Sequence, residues 1–156
     1  MTIYWLTGAM GAGKSTLGAA LAASLPKTLF IDGDFLLVDS DKIPFAERIM
    51  RTKNQLIETC ISFAKDKQSV VIAYPVTKET IIDLKQKFEL LNAKLIVIGI
   101  QSPLLTTTRT YSEWQLQRQK EMIACNGKGF ADIVFKHPTQ YLNDSINELI
   151  KELNCL

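Results

Sequence analysis

The chain has 156 residues, 47% of them hydrophobic and 22% charged, and carries a formal net charge of +2. That is length enough for one well-buried core and apolar content too high for a disordered chain. So small a net charge argues against nucleic-acid or membrane binding through bulk charge, and any electropositive site must be local.

The longest apolar runs, such as Leu95 to Ile100, are far too short to span a bilayer, and the opening residues lack the pattern of a secretory leader. Cys60, Cys125 and Cys155 are odd in number and unrelated in spacing. They suit neither a disulfide framework nor a zinc site, so a reducing cytoplasm is expected.

In chain order, short β-rich runs alternate with longer helical ones. Thr2 to Thr7 predicts a strand that breaks into the glycine-rich Gly8 to Gly13. Leu17, Leu21 and Leu25 then form a helical stripe, ended by Pro26. Thr28 to Ile31 predicts a second strand, stopped by Asp32-Gly33-Asp34. A long helix is expected over Phe45 to Lys67, with Ile49, Leu56, Ile57, Cys60, Ile61 and Ala64 on its apolar side and Lys53 interrupting that face. Val70 to Ala73 predicts a third strand, ended by Tyr74-Pro75, and Thr77 is placed to cap a helix carrying Ile81, Leu84, Phe88 and Leu91. Leu95 to Ile100 predicts a fourth strand, Pro103 to about Ala124 a helix, Ile133 to Phe135 a fifth strand, and Leu142 to Leu153 a last helix.

Strands without strict alternation, each followed by a helix, indicate one α/β domain over 1–156 with a parallel sheet covered on both faces. Ligands of such sheets bind at the carboxyl ends of the strands, so the segments after all five strands are expected to converge on one edge.

Gly8-Ala9-Met10-Gly11-Ala12-Gly13-Lys14-Ser15-Thr16 fits G-x-x-x-x-G-K-[ST] in full, between an apolar strand and an amphipathic helix. Glycines let such a loop wrap a phosphate with its N–H groups inward, and the following helix adds its positive end. Gly8, Gly11, Ala12, Gly13, Lys14, Ser15 and Thr16 are therefore the expected phosphate-binding residues. Lys14 should bridge the β- and γ-phosphates and the Ser15 hydroxyl ligate Mg²⁺.

The third strand ends in Tyr74-Pro75 where GTPases and motor ATPases place an aspartate, and no Asn-Lys-x-Asp stretch occurs, which argues against a switch GTPase. The acids stand instead at Asp32 and Asp34, on one side of the chain by alternation, with Gly33 between them permitting close approach of a ligand. One carboxylate can organise Mg²⁺ or accept the proton of an attacking hydroxyl, and the other can hold the acceptor.

Leu6 to Thr16 followed by Ile31 to Leu36 resembles the gluconate, shikimate and adenylylsulfate kinase branch of the P-loop kinases. Asp39-Ser40-Asp41-Lys42-Ile43-Pro44-Phe45 is similar to an acidic run of gluconate kinases, although Leu37 replaces their histidine. The resemblance implies a three-layer P-loop fold with strand order 2-3-1-4-5. It implies an ATP- and Mg²⁺-dependent transfer of the γ-phosphoryl group to a hydroxyl of a small, anionic metabolite. It further implies that Asp32, with Ser15, serves the metal, that Asp32 or Asp34 receives the acceptor hydroxyl, and that Arg48 and Arg51 clamp its anionic group. Arg109 is implied on the adenine, Arg118 at the transferring phosphate from a short lid near 110–130, and Lys136-His137-Pro138-Thr139 in the loop that contacts adenine.

Two alternatives stand beside this one. Ala131-Asp132-Ile133-Val134 resembles a segment of dephospho-coenzyme A kinases and suggests a nucleotide or nucleotide-precursor kinase; the sparse lid suggests a non-catalytic ATP-binding module. In each case the partners are a nucleotide and small molecules, without nucleic acid or membrane, and the protein is a monomer or homodimer.

Overall fold

A computed structural model describes residues 1–36, 42–101, 113, 117, 131–136 and 141–156. In chain order these form β1 (Thr2–Gly8), α1 (Lys14–Ser24), β2 (Thr28–Asp32), a 3-10 turn (Gly33–Leu36), α2 (Phe45–Lys65) and β3 (Ser69–Ala73). There follow α3 (Lys78–Glu89), β4 (Lys94–Gln101), β5 (Ile133–Lys136) and α4 (Leu142–Leu153). The helix expected over Pro103 to Ala124, and the lid within it, lie outside the described residues except for Glu113 and Gln117, which are helical.

The sheet is parallel throughout, in the order β2-β3-β1-β4-β5 that the resemblance implied. Strand alternation divides its side chains between two apolar layers. Ile3, Trp5, Val70, Ile72 and Val97 face α2 and α3, where Leu56, Cys60, Leu84 and Phe88 close over them. Leu6, Val71, Ile96, Ile98 and Ile100 face α1 and α4, against Leu17, Leu21, Ile146 and Leu149. Burying each such side chain stabilises the fold by about 1.5–3 kcal/mol.

Thr77 caps α3 as expected, its hydroxyl accepting from Thr80 N at 3.4 Å. Two helix ends differ from expectation by a residue or two. α2 stops at Lys65, and α3 at Glu89 with Leu91 in the following turn. Both use the same device. Gln68 N bonds to Phe63 O across Lys67 at φ 54°, and Ala93 N bonds to Phe88 O across Asn92 at φ 53°. These are left-handed caps made without glycine. On α2, Lys53 is half-buried within the apolar face, and Thr52 is fully buried beside it, its hydroxyl donated to Arg48 O at 3.0 Å.

Candidate active site

The strand ends fix the site. Parallel register aligns Asp32 with Ala73, Ala73 with Leu6, and Leu6 with Ile98, making one row across the sheet. One residue further along the chain come Gly33, Tyr74 and Thr7, so the phosphate loop, the acidic pair and the Tyr74-Pro75 turn leave the sheet side by side.

After β1 the backbone folds into a glycine cradle. Gly11 (φ 76°) and Gly13 (φ 86°) adopt left-handed conformations that strain a side chain. Gly13 is the N-cap of α1, and buried Ala12 closes the loop by donating its N–H to Ala9 O at 3.2 Å. Ser15 and Thr16 open α1 and are exposed. Lys14 is folded against the loop, its Nζ donating to Gly8 O at 3.2 Å and Ala9 O at 2.8 Å. Burial lowers its pKa, while the charges of Asp34 and Asp32 pull the other way. The cation of the cradle thus lies in the field of both acids.

Asp32 ends β2, and its Oδ1 accepts from Asp34 N at 3.1 Å, which shapes the turn between the two carboxylates. Asp34 reaches solvent, yet protein crowds it on the site side. This partial loss of hydration, then the Asp32 carboxylate, raises its pKa against the opposing pull of Lys14. Two acids with one environment pushing a carboxyl upward is an arrangement that suits proton acceptance.

Gly33 has a packing role that its sequence position does not show. It is buried, and a Cβ there would stand 2.4 Å from Tyr74 Cδ2 and 2.9 Å from Tyr74 Cβ. Within the protein, the close approach it permits is that of the Tyr74 ring. Tyr74 in turn is tied to β1 through its own N–H to Leu6 O (3.1 Å) and its carbonyl to Trp5 Nε1 (2.9 Å). Val76 N, beyond Pro75, donates to Thr7 Oγ1 at 3.1 Å. Tyr74, Trp5, Thr7 and Thr52 were not among the expected site residues; the signal for Tyr74 was its position just past a central strand.

The two arginines of α2 are placed differently. Arg51 is exposed and pairs with Glu47 one turn back, at 2.6 Å from Nη2 and 3.1 Å from Nε. Arg48 is half-buried above the Phe45 ring, 5.4 Å from its centroid, one turn before Thr52. Arg109, Arg118 and Pro138 lie outside the described residues.

The oxygen donors near the cradle, the Ser15 hydroxyl and the Asp32 carboxylate, form a hard and incomplete set. That fits Mg²⁺, which retains several waters and takes the rest of its ligands from phosphate. Among the described residues no group of three or more His, Cys, Asp or Glu could hold a metal by itself. Cys60 is buried away from this edge, its thiol pushed up to about 12 by burial, and so is inert. Asp132 has structural work. Its carboxylate accepts from Val97 N at 2.7 Å and from Lys85 Nζ at 2.8 Å, fastening the start of β5 to β4 and α3. No described helix is long and apolar enough to cross a membrane.

No protein-family model matches the sequence, and no curated protein matches it either. Solved structures do. A gluconokinase from Sinorhizobium meliloti superposes with a TM-score of 0.74 at 18% identity, over 99% of this chain and 92% of that one. A shikimate kinase from Aquifex aeolicus gives 0.64 at 18% identity, over 99% and 97%. The APS kinase of Mycobacterium tuberculosis, in complex with AMPPNP and APS, gives 0.63 at 16% identity, over 98% and 97%. With the strand order, the glycine cradle and these superpositions agreeing, the chain has the P-loop kinase fold.

Proposed function

We propose that the protein is an ATP-dependent small-molecule kinase, transferring the γ-phosphoryl group to a hydroxyl of an anionic metabolite in the cytoplasm. The observation that carries this is the parallel register, which brings the glycine cradle after β1 and the Asp32–Asp34 turn after β2 to the same edge of the sheet, where the charges of Lys14, Asp32 and Asp34 act on one another. The names of the structural neighbours, which phosphorylate gluconate, shikimate and adenylylsulfate, support the same class of chemistry.

In this assignment Gly8, Gly11, Ala12, Gly13, Ser15 and Thr16 hold the phosphates with backbone N–H groups and hydroxyls. Lys14 leaves the carbonyls of Gly8 and Ala9 for the β- and γ-phosphates, exchanging neutral partners for charged ones. Mg²⁺, held by Ser15 and through Asp32, would neutralise charge on the β- and γ-oxygens. Asp34, or Asp32 if the roles are exchanged, takes the proton as the acceptor oxygen bonds to phosphorus. The bond between that phosphorus and the β,γ-bridging oxygen breaks and ADP leaves. Arg48 binds the anionic group of the acceptor, with Arg51 beside it on the same helix. Arg109 and Pro138 serve the adenine, and Arg118 the transferring phosphate. Catalysis of this kind is positioning and electrostatics.

The test is ADP release from Mg·ATP in the presence of hydroxyl-bearing carboxylates, sulfates and phosphates. Acceptor-dependent release is expected for at least one of them. Lys14→Ala should keep the wild-type circular dichroism and lose on the order of a hundredfold or more in turnover. Normal turnover by that variant removes the cradle from the chemistry.

A further inference from the structure

A buried hydroxyl stands beside the acidic pair without a partner among the described residues. Tyr74 is 2% exposed, and its Oη forms no hydrogen bond with any of them. Thr52 is near enough to bear on the phenol, but its own proton goes to Arg48 O at 3.0 Å, and no hydrogen bond joins the two hydroxyls. Folded proteins leave few such groups, because a buried hydroxyl that has lost water and gained nothing is destabilising. Packing alone does not account for it, since phenylalanine would fill the same space without the orphan.

The main chain that carries the ring is held on both sides. Tyr74 is fixed to β1 through Leu6 O and Trp5 Nε1, the next residue is proline, and Val76 is fixed through Thr7 Oγ1. The ring's face lies on Gly33, between the two carboxylates. The phenol is therefore rigidly placed, dry, and close enough to Asp34 for that charge to act on it. A rigid donor that is unsatisfied in the protein alone is preorganised for a polar atom brought by a ligand.

We propose that the Tyr74 hydroxyl is a specificity-determining group for the phosphoryl acceptor, donating a hydrogen bond to an acceptor oxygen beneath the 3-10 turn that carries Asp34. The proposal rests on the kinase function above. The turn's Leu36 packs on the same apolar cluster as Tyr74, which places the phenol under that turn. Asp34 would then face the reacting hydroxyl, and Tyr74 a second oxygen of the same molecule. A small metabolite is thereby selected by where its oxygens lie and not only by its charge.

Tyr74→Phe is the decisive variant, because it keeps the ring on Gly33 and every backbone bond and removes one oxygen. Without ligand, its thermal midpoint should equal or exceed that of wild type. A lower midpoint would mean that the hydroxyl supports the fold and would overturn the proposal. Steady-state ADP release with Mg·ATP is then measured with gluconate, shikimate and adenylylsulfate as probes. For whichever of these the wild type phosphorylates, the variant's KM should rise roughly three- to tenfold, as for one neutral hydrogen bond, with the ATP KM unchanged. An unchanged acceptor KM overturns the role of Tyr74 and leaves the kinase function standing. If wild type phosphorylates none of these nor any of the hydroxyl-bearing carboxylates, sulfates and phosphates named above, the proposed acceptor class fails, and this role with it.

Discussion

Substituting Gly33 by alanine adds one methyl group at the tightest place in the site. The new Cβ would lie 2.4 Å from Tyr74 Cδ2 and 2.7 Å from Cγ, where ordinary contact begins at 3.4 Å, so about 1 Å must be found. Tyr74 cannot supply it, since its Cβ is also within 2.9 Å and its backbone is bonded to β1 on both sides. The 3-10 turn must move instead, and Asp32 and Asp34 move with it. Overpacking of this kind costs about 1–3 kcal/mol, a fall of roughly 2–10 °C in Tm for a domain of this size. A displacement of about 1 Å in catalytic groups costs on the order of a hundredfold in rate. Gly33→Ala should therefore stay folded at the assay temperature while kcat falls about a hundredfold, as read by thermal melting and ADP release. The cause can be isolated in a cycle with Tyr74→Ala, which removes the obstructing ring. The double variant should be less destabilised than the sum of the two singles, because the clash disappears with the ring. Wild-type turnover in Gly33→Ala, or strict additivity in the cycle, would refute the Gly33–Tyr74 contact as the constraint on the acidic pair.

Two other perturbations separate function from fold. Asp34 titrates above the ordinary 3.8, so its ionised form is disfavoured in the folded protein. That penalty is absent below the unfolded value and complete above the folded one, so stability falls as pH rises between them. Asp34→Asn should accordingly melt higher than wild type at pH 7, with the gap closing as pH drops below about 4, while turnover is lost. A gap that persists at pH 3 would deny the electrostatic cause. At the other end of the sheet, Asp132→Ala leaves Val97 N without its charged acceptor and should cost about 1.5–3 kcal/mol. Lys85→Ala breaks only the half-exposed ion pair and should cost less than about 1 kcal/mol. Denaturant melts of the two variants compare them directly, and equal losses would mean that the ion pair, not the Val97 bond, holds β5.

What could be read in the sequence follows from how local each interaction is. The glycine loop is a motif of nine consecutive residues, so its shape depends on nothing distant: Gly11 and Gly13 take left-handed conformations, and Lys14 folds back onto the loop. The sheet was legible because burial on both faces leaves continuous apolar runs. Helix ends were less so. Lys67 and Asn92 take left-handed caps without glycine, and periodicity alone runs two residues past the helix ends at Lys65 and Glu89. On α2, the apolar face turns through Thr52, whose hydroxyl is satisfied by the helix's own carbonyl, so a polar residue could occupy a core position unseen. The Glu47–Arg51 pair was readable from its i,i+4 spacing, and it bears on Arg51 alone, since Arg48 lies over Phe45.

The acidic pair shows the limit most clearly. Alternation placed Asp32 and Asp34 on one side, but the reason for the glycine between them sits some forty positions away at the end of β3. Only the parallel register, Asp32 beside Ala73, brings Gly33 against Tyr74. From the sequence, Gly33 and a tyrosine where GTPases and motor ATPases place an aspartate are two separate observations. In the structure they are two halves of one contact, which ties the geometry of the carboxylates to β1, the strand that also launches the phosphate loop. In the proposed mechanism the phosphate-binding and acceptor-facing groups are thus referenced to one rigid strand, the condition for positioning to carry the catalysis.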